Sequence, residues 1–483
     1  MLEGKIGKRL ARLVDCKVTW DDQILDLYSV DASSYILKPS VVAFPRNEND
    51  IIKILRYASK NKIPVTARGG GTGLVGAALG SGIILDMKHL ERIKIGPDNV
   101  EVDSGVSKGR LDRELKKHGR FLGPDPSIGP FCTIGGMVAT NASGSHSLKY
   151  GSMIDNLLQV KIITSYGKLI TLPNKDNIGK KIIKLIKPQI QKSFPLVSKN
   201  SCGYRIDKIK SEKDIQKIIT ASEGTLGIIV SAKLKTIPIP KKVVLITISY
   251  KTIKQAVLDV TKIVKLEPSA LEIIDNNIVQ HIKTKIPKDT HCMLFVEFDE
   301  NLVKNIISIK NISSGKIIKI ITKRQEISQW WSFRNSALSY SLRSISKQET
   351  VPSLIEDATV PVEKLPLLLD LAENLASKHD MKMVIYGHAG NGNLHIRPVL
   401  KKKDKRLIKK IAKEFFSGVI LLGGCITGEH GDGLARTEFV KLQYGDETYS
   451  LFKKIKHIFD PTNILNPGKI ISQGSTVTRN LKI

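Results

Sequence analysis

Three histidines and one glutamate gather in two short glycine-flanked segments of this 483-residue sequence. IYGHAGNGNLHIRP (385–398) reads as strand, Gly/Asn turn and strand, a hairpin signal. His388 and His395 flank the turn on opposite arms, so both imidazoles can reach one point. CITGEHGDGLAR (425–436) adds Glu429 and His430. Two histidines and one carboxylate form a three-ligand set with an open position, the arrangement of a catalytic zinc or similar divalent site. A single histidine is more often a core or surface residue. Three of them with a glutamate, in two such loops, favour the metal.

A second kind of chemistry sits upstream. RGGGTGLVG (68–76) follows the strand IPVTA, and its glycines let backbone N–H groups crowd against a phosphate where no Cβ blocks the approach. Arg68 and the Thr72 hydroxyl add a charge and a donor. Gly71 to Gly76 matches the dinucleotide fingerprint GxGxxG, but that fingerprint must open a helix and be followed about 20 residues later by an acid. AALGSG follows instead, too glycine-rich to propagate a helix, and then the strand GIILDM. A Rossmann site is therefore not expected. GPDPSIGPFCTIGGMVATNASGSHSLKYG (123–151) carries small residues at Gly135, Gly136, Ala139, Ala142 and Gly144, and ASEGTLGII (221–229) offers Glu223, Gly224 and Gly227. Three such loops in one region point to a large, extended cofactor lying against backbone.

The elements that must position these loops alternate from Val41 onward. VVAFP, IPVTA, GIILDM and NVEVDSG read as strands, with amphipathic helices at DIIKILRYASKNK and SKGRLDRELKKHG. The first ~35 residues read as a helix and a polar turn. Pro238-Ile239-Pro240 marks a boundary. Beyond it VVLITISY, a helix, LEIID, HCMLFVEF, a helix and a strand predict a β-α-β-β-α-β layer. Residues 364–397 return to helix then hairpin, and the chain ends in a helix and a proline-punctuated tail.

Composition bounds the rest. With 41% apolar and 25% charged residues the chain belongs with globular proteins. It lacks the ~18–20 apolar residues in a row of a membrane span. No secretory signal follows the basic N-terminus, so cytoplasm is the expected location. Five scattered cysteines, with no CxxC pair, argue against a disulfide framework or an iron–sulfur site. The net charge of +30 is spread over lysine-rich helix faces such as KKKDKRLIKKIAKEF (401–415), and with 5% aromatics no nucleic-acid platform is expected. Docking of an acidic partner or peripheral contact with a membrane surface stays open.

The set ARGGGTGLVG, PDPS…TIGGMVATNASG…KYG and SEGTLGI resembles the FAD domain of the vanillyl-alcohol oxidase and para-cresol methylhydroxylase type. Over about Pro39 to Ile470 the chain is similar to the branch of glycolate oxidase D-subunits, FAD-linked D-lactate dehydrogenases and D-2-hydroxyglutarate dehydrogenases. The resemblance implies an α+β fold: a two-lobed FAD-binding domain over 1–240 (lobes about 1–145 and 146–240), a ferredoxin-like α+β cap over 241–425, and a segment 426–483 that completes the active site. It implies FAD on Arg68, Gly69, Gly70, Gly71, Thr72, Gly73, Leu74, Pro124, Asp125, Thr133, Gly135, Gly136, Asn141, Ala142, Gly144, Glu223, Gly227 and Ile228. Some relatives attach flavin covalently. The glycine loop lacks a histidine, so non-covalent FAD is expected, with Cys132 and His146 leaving the question open.

Carried over by motif, His388, His395 and Glu429 hold zinc, and His430 is the base. WWSFRNSAL (330–338) is similar to the family's WxxRE motif and makes Arg334 the substrate carboxylate clamp, with Asn335 where the motif has Glu. Arg397 is a second candidate anion contact. Asn391 replaces the family's Asp in the hairpin turn and suits that turn equally well on φ grounds. The implied reaction is oxidation of D-lactate, glycolate or D-2-hydroxyglutarate to the 2-oxo acid. Electrons would pass to a separate acceptor, namely an iron–sulfur subunit, an electron-transfer flavoprotein, a cytochrome or a quinone. A homodimer stays open. The alternative is an alkyl-glycerone-phosphate synthase-like FAD enzyme without net oxidation.

Overall fold

The computed structural model describes residues 2–173, 177–282, 286–337, 339–340, 346, 349–352, 354–401, 404–474 and 477–482. Leu338 of WWSFRNSAL, and Lys402 and Lys403 of the lysine-rich segment, lie outside the described residues.

Val41–Phe44 is four apolar residues buried on both faces, inside a mixed sheet where it runs antiparallel to one neighbour and parallel to the other. It is β2 of a first sheet that also holds β1 (Lys17–Thr19), β3 (Val65–Arg68) and β4 (Ile83–Asp86), in the order β1-β2-β4-β3. Both β2 and β3 run parallel to β4, so the chain must cross over between them, and helix α1 (Glu48–Asn61) makes the crossing. The Asn47 side chain caps α1 by accepting from the Asp50 N–H. The glycine loop leaves the carboxyl end of β3, where open parallel sheets form ligand crevices. Strand β1 was not read from the sequence: three residues with Lys17 and Thr19 carry no usable periodicity.

A second, antiparallel sheet contains β5 (Ile93–Ile95), β6 (Asn99–Asp103), β7 (Leu157–Ile163), β8 (Leu169–Leu172) and β9 (Ile228–Lys235), ordered β5-β6-β9-β7-β8. Helix α2 (Ile134–Thr140) packs on β9 and is capped by Thr133, which accepts from the Gly136 N–H. Asn141 ends it in the left-handed conformation, φ 53°.

The third sheet holds β10 (Val244–Tyr250), β11 (Ala270–Asp275), β12 (Cys292–Phe298), β13 (Lys316–Ile321), β14 (Ala358–Thr359), β15 (Lys382–His388) and β16 (Asn393–Val399). Its order is β13-β10-β12-β11-β15-β16-β14. With helices α3 (Ile253–Ile263) and α4 (Leu302–Ile312), the first four strands form the expected ferredoxin-like β-α-β-β-α-β unit. The histidine hairpin β15–β16 extends the same sheet by pairing β15 with β11. At its tip the left-handed position is taken by Gly392, φ 68°. The φ argument for Asn391 therefore does not apply: its amide instead donates to Ser198 Oγ at 3.0 Å.

Helix α5 (Arg324–Asn335) carries Arg334, and the C-terminal helical segment α6 (Val440–Phe459), broken at Gly445 where φ is 73°, packs Tyr444 and Phe452 against Phe194 and Tyr204. The tail returns to the first sheet, where Asn466 accepts from the Thr66 hydroxyl at 3.0 Å.

His146 joins the second loop to the third sheet, with Nδ1 2.5 Å from Asp125 and Nε2 2.8 Å from Glu297 on β12. Burial pulls its pKa down, but the two carboxylates outweigh burial and hold it well above the usual histidine range. A pKa raised by folding stabilises fully below the unfolded value of about 6.5, and the contribution is lost as pH rises through the raised folded value. Tm should therefore fall on the alkaline side of neutrality. His146→Gln should flatten that fall in thermal unfolding scans across pH, and an unchanged slope would remove His146 as its source.

Candidate active site

The three glycine-rich loops meet. Ala67 to Gly73, the start of α2 and the turn at Glu223–Gly227 line one cleft of about 880 Å³, counting its open mouth. Of the expected cofactor residues, Arg68, Gly69, Gly70, Gly71, Thr72, Gly73, Thr133, Gly135, Gly136, Ala142, Glu223 and Gly227 line it. Leu74, Pro124, Asp125, Asn141, Gly144 and Ile228 are not among the lining residues. Asp125 holds His146, Asn141 donates to the Asn200 carbonyl, and Ile228 is buried at the start of β9. Arg68 turns its guanidinium to the carbonyls of Val30 and Tyr28, at 2.8 and 3.3 Å, and so braces the loop rather than offering its charge. Cys132 lines the cleft with Sγ 3.5 Å from Thr72 Oγ1, and burial pushes its thiol up, whereas His146 is outside the lining.

Two features make the cleft fit a bound group. Ser104 Oγ is buried, lines the cleft and has no hydrogen-bond partner among the described residues, a costly state unless something else accepts or donates there. Gly73 has neither a left-handed φ nor any heavy atom within 4 Å of an added Cβ, so the fold does not require glycine there. Gly135 differs: a Cβ there would collide with Ser104. Gly73→Val should fold normally but purify with a lower flavin-to-protein absorbance ratio, whereas Gly135→Val should also lower Tm. An unchanged ratio in Gly73→Val would place the bound group elsewhere.

The histidine loops meet a few residues away along the chain. Ala142 lines the cleft, and the next residue, Ser143, donates from Oγ to Glu429 Oε2 at 2.6 Å. Lys199 Nζ lies 3.0 Å from the same oxygen. Both hold Oε2, which leaves Oε1 facing three imidazoles: His388 Nε2 at 3.0 Å, His395 Nε2 at 3.4 Å and His430 Nε2 at 3.6 Å. Burial raises the Glu429 pKa, but His388 and Lys199 outweigh it and hold the carboxyl well below the usual range. Asp357, His395, Glu429 and His430 each offer a ligand atom within 4.8 Å of one another. This nitrogen and oxygen donor set fits zinc or another divalent cation. Of the expected ligands His395 and Glu429 fall in this set, together with Asp357 and the expected base His430; His388 lies outside it and touches the same Glu429 oxygen.

Around this set lie residues that sequence reasoning missed. Glu356 is 3.0 Å from His430 Nδ1, and its backbone carbonyl is 3.1 Å from His395 Nδ1. Arg436, fully buried, donates to Glu356 at 2.7 Å. Asp357 accepts from the Thr427 hydroxyl and from the N–H groups of Glu429 and His430, fixing the loop. Burial pulls the His430 pKa down, but Glu356 and Asp357 outweigh it and hold it at about 9. Glu223 does not reach out as a free acceptor: it takes the N–H groups of Asp432 and Gly433, which ties the glycine-lined cleft to the histidine loop. The available signal was a charged residue inside an apolar run, as in LEIID (271–275) and LIEDATV (354–360), since buried charges are rare unless paired.

Arg334 is 3% exposed, its Nη2 is ion-paired with Glu272 Oε2, and its Nε has no hydrogen-bond partner among the described residues. Glu272 in turn is 2.8 Å from His388 Nδ1. Arg397 donates to the Tyr386 hydroxyl at 3.0 Å and lies 3.4 Å from Glu356, so its guanidinium is engaged within the protein.

Residues 39–173 match the family described as FAD binding domain, and residues 239–470 match FAD linked oxidases, C-terminal domain. Glycolate oxidase subunit GlcD of Bacillus subtilis (strain 168) is 30% identical over 92% of this chain and 92% of its own length. The chain belongs to the FAD-linked oxidase family. As a member it is an FAD-dependent oxidoreductase. D-lactate dehydrogenase of Archaeoglobus fulgidus is 29% identical over 92% of this chain and 96% of that protein. D-2-hydroxyglutarate dehydrogenase of Escherichia coli (strain K12) is 30% identical over 92% of this chain but 49% of that protein, so this family member spans about half its length. Among solved structures, 4-ethylphenol oxidase from Gulosibacter chungangensis aligns with TM-score 0.71 at 14% identity, covering 97% of each chain. Alkyldihydroxyacetonephosphate synthase aligns with TM-score 0.69 at 16% identity, covering 96% of this chain and 85% of that one. The fold is the vanillyl-alcohol-oxidase type expected from the sequence, and at these identities the likeness extends to fold alone. Among the described residues no helix is long and apolar enough to cross a membrane.

Proposed function

We propose that this FAD-dependent oxidoreductase oxidises a small 2-hydroxy acid, of the glycolate, D-lactate or D-2-hydroxyglutarate class, to the 2-oxo acid. The observation that carries the reading is Arg334: a buried guanidinium whose Nε has no partner among the described residues, one carboxylate away from three imidazoles that converge on Glu429. The names of the relatives support the same class.

Arg334 would bind the substrate carboxylate through its Nε, with Nη2 held by Glu272, a charge-assisted contact that fixes the substrate's position. His430 would take the hydroxyl proton on Nε2, with Nδ1 held by Glu356. FAD, held by the glycine loops, would accept hydride from the substrate carbon. A divalent cation on His388, His395 and Glu429 would supply positive charge that polarises the hydroxyl and offsets the anions keeping His430 protonated. The loops over 1–240 would serve as the FAD domain, 241–425 as the cap, and 426–483 as the segment that brings His430 to the site. All five cysteines are buried and unpaired, so onward electron transfer would use a separate acceptor.

The test is anaerobic mixing of the yellow protein with glycolate, D- and L-lactate, D-2-hydroxyglutarate and glycerol phosphate. Bleaching by one hydroxy acid is the expected result. A flavin that no hydroxy acid reduces would overturn the reading, and turnover with a spectrally silent flavin would indicate synthase-like chemistry.

A further inference from the structure

Glu272 is fully buried in β11, between Leu271 and Ile273 on a strand whose six residues are all buried. A carboxylate in such a place must have partners, and it has two on different business. Oε1 lies 2.8 Å from His388 Nδ1, and Oε2 faces the Arg334 guanidinium. Each carboxylate oxygen thus has its own charged or polar partner.

The partners come from separate elements: Arg334 from helix α5, His388 from the end of β15. Strand β11 pairs directly with β15, Ile273 opposite Gly387, so the carboxylate is presented from the adjacent strand. Its acceptance at Nδ1 leaves His388 Nε2 to face Glu429 at 3.0 Å. His395 and His430 are braced differently, by the Glu356 carbonyl and carboxylate, and neither brace touches Arg334.

We infer that Glu272 is a positioning residue that couples the two halves of the site: it orients His388 for a divalent cation and Arg334 for the substrate carboxylate, so cation affinity responds to changes at Arg334. The inference rests on the metal-assisted reading above. By linkage, whatever alters the Arg334–Glu272 pair must alter the His388–Glu272 bond through their shared carboxylate.

The test measures zinc affinity of purified FAD-loaded protein, without substrate, by competition with a chelating indicator. Glu272→Gln should weaken zinc about 10–100-fold, the usual cost of losing a carboxylate behind a ligating imidazole. It should also raise KM for the hydroxy acid. Arg334→Met, which removes no cation ligand, should shift zinc affinity at least about threefold, a readout that loss of a merely structural contact does not move. Wild-type protein that binds no zinc would overturn the metal reading itself. Wild-type binding with both variants within twofold of it would overturn the coupling alone. Should Glu272→Gln fail to retain flavin, Arg334→Met decides: an unchanged zinc affinity overturns the inference.

Discussion

His430→Asn is expected to retain FAD at the wild-type ratio while kcat falls about 10²–10⁴-fold, the usual worth of a positioned general base. The substitution is mild on the fold. His430 is partly exposed, and Glu356, its partner at Nδ1, keeps Arg436 at 2.7 Å and Arg397 at 3.4 Å. Asn can still donate towards Glu356 but cannot take a proton at the position of Nε2. The measurement is steady-state turnover with an artificial electron acceptor, alongside the flavin spectrum. A variant within fivefold of wild-type kcat would remove His430 from the proton-transfer role.

Glu429→Gln should do comparable damage by another route. The amide oxygen can still accept from Ser143 and Lys199, so the protein should fold, less stable by about 1.5–3 kcal/mol for the lost charged hydrogen bonds. What disappears is the anion that faces His388, His395 and His430. Divalent-cation affinity should fall by more than the roughly 10–100-fold attached to an outer partner, and activity should fall with it. Bound metal per flavin, measured by elemental analysis of dialysed protein, checks the first effect. A variant that retains wild-type metal content would show that the ion sits elsewhere. Glu429→Ala should be harsher, because it leaves the Lys199 ammonium, 1% exposed, with the Gly144 carbonyl as its remaining named partner, at a cost of about 3–5 kcal/mol.

Much of the candidate site was legible along the chain because its chemistry is local. A glycine loop announces itself, since backbone can approach a bound group closely only where no Cβ intervenes. The hairpin carrying His388 and His395 was legible for a similar reason: strand, turn and strand lie within fourteen residues, 385–398. The β-α-β-β-α-β order of the third sheet also followed from alternating apolar runs, although the order of its strands, with β11 next to β15, did not.

The partners that make those residues chemically useful were not legible. Ser143 reaches Glu429 across 286 residues, Lys199 across 230, and Glu272 reaches His388 across 116. A serine in a small-residue loop or a glutamate in a strand looks the same in sequence whether it faces water or a buried imidazole. Arg68 and Glu223 make the converse point: both were singled out for the cofactor, yet one braces its loop on Val30 and Tyr28 and the other holds the backbone of Asp432 and Gly433. The sequence by itself determined which backbone could approach a cofactor and which side chains could bind a cation. Only the tertiary structure decided which carboxylate orients which imidazole, because hydrogen-bond geometry between distant segments exists only once the three sheets have packed.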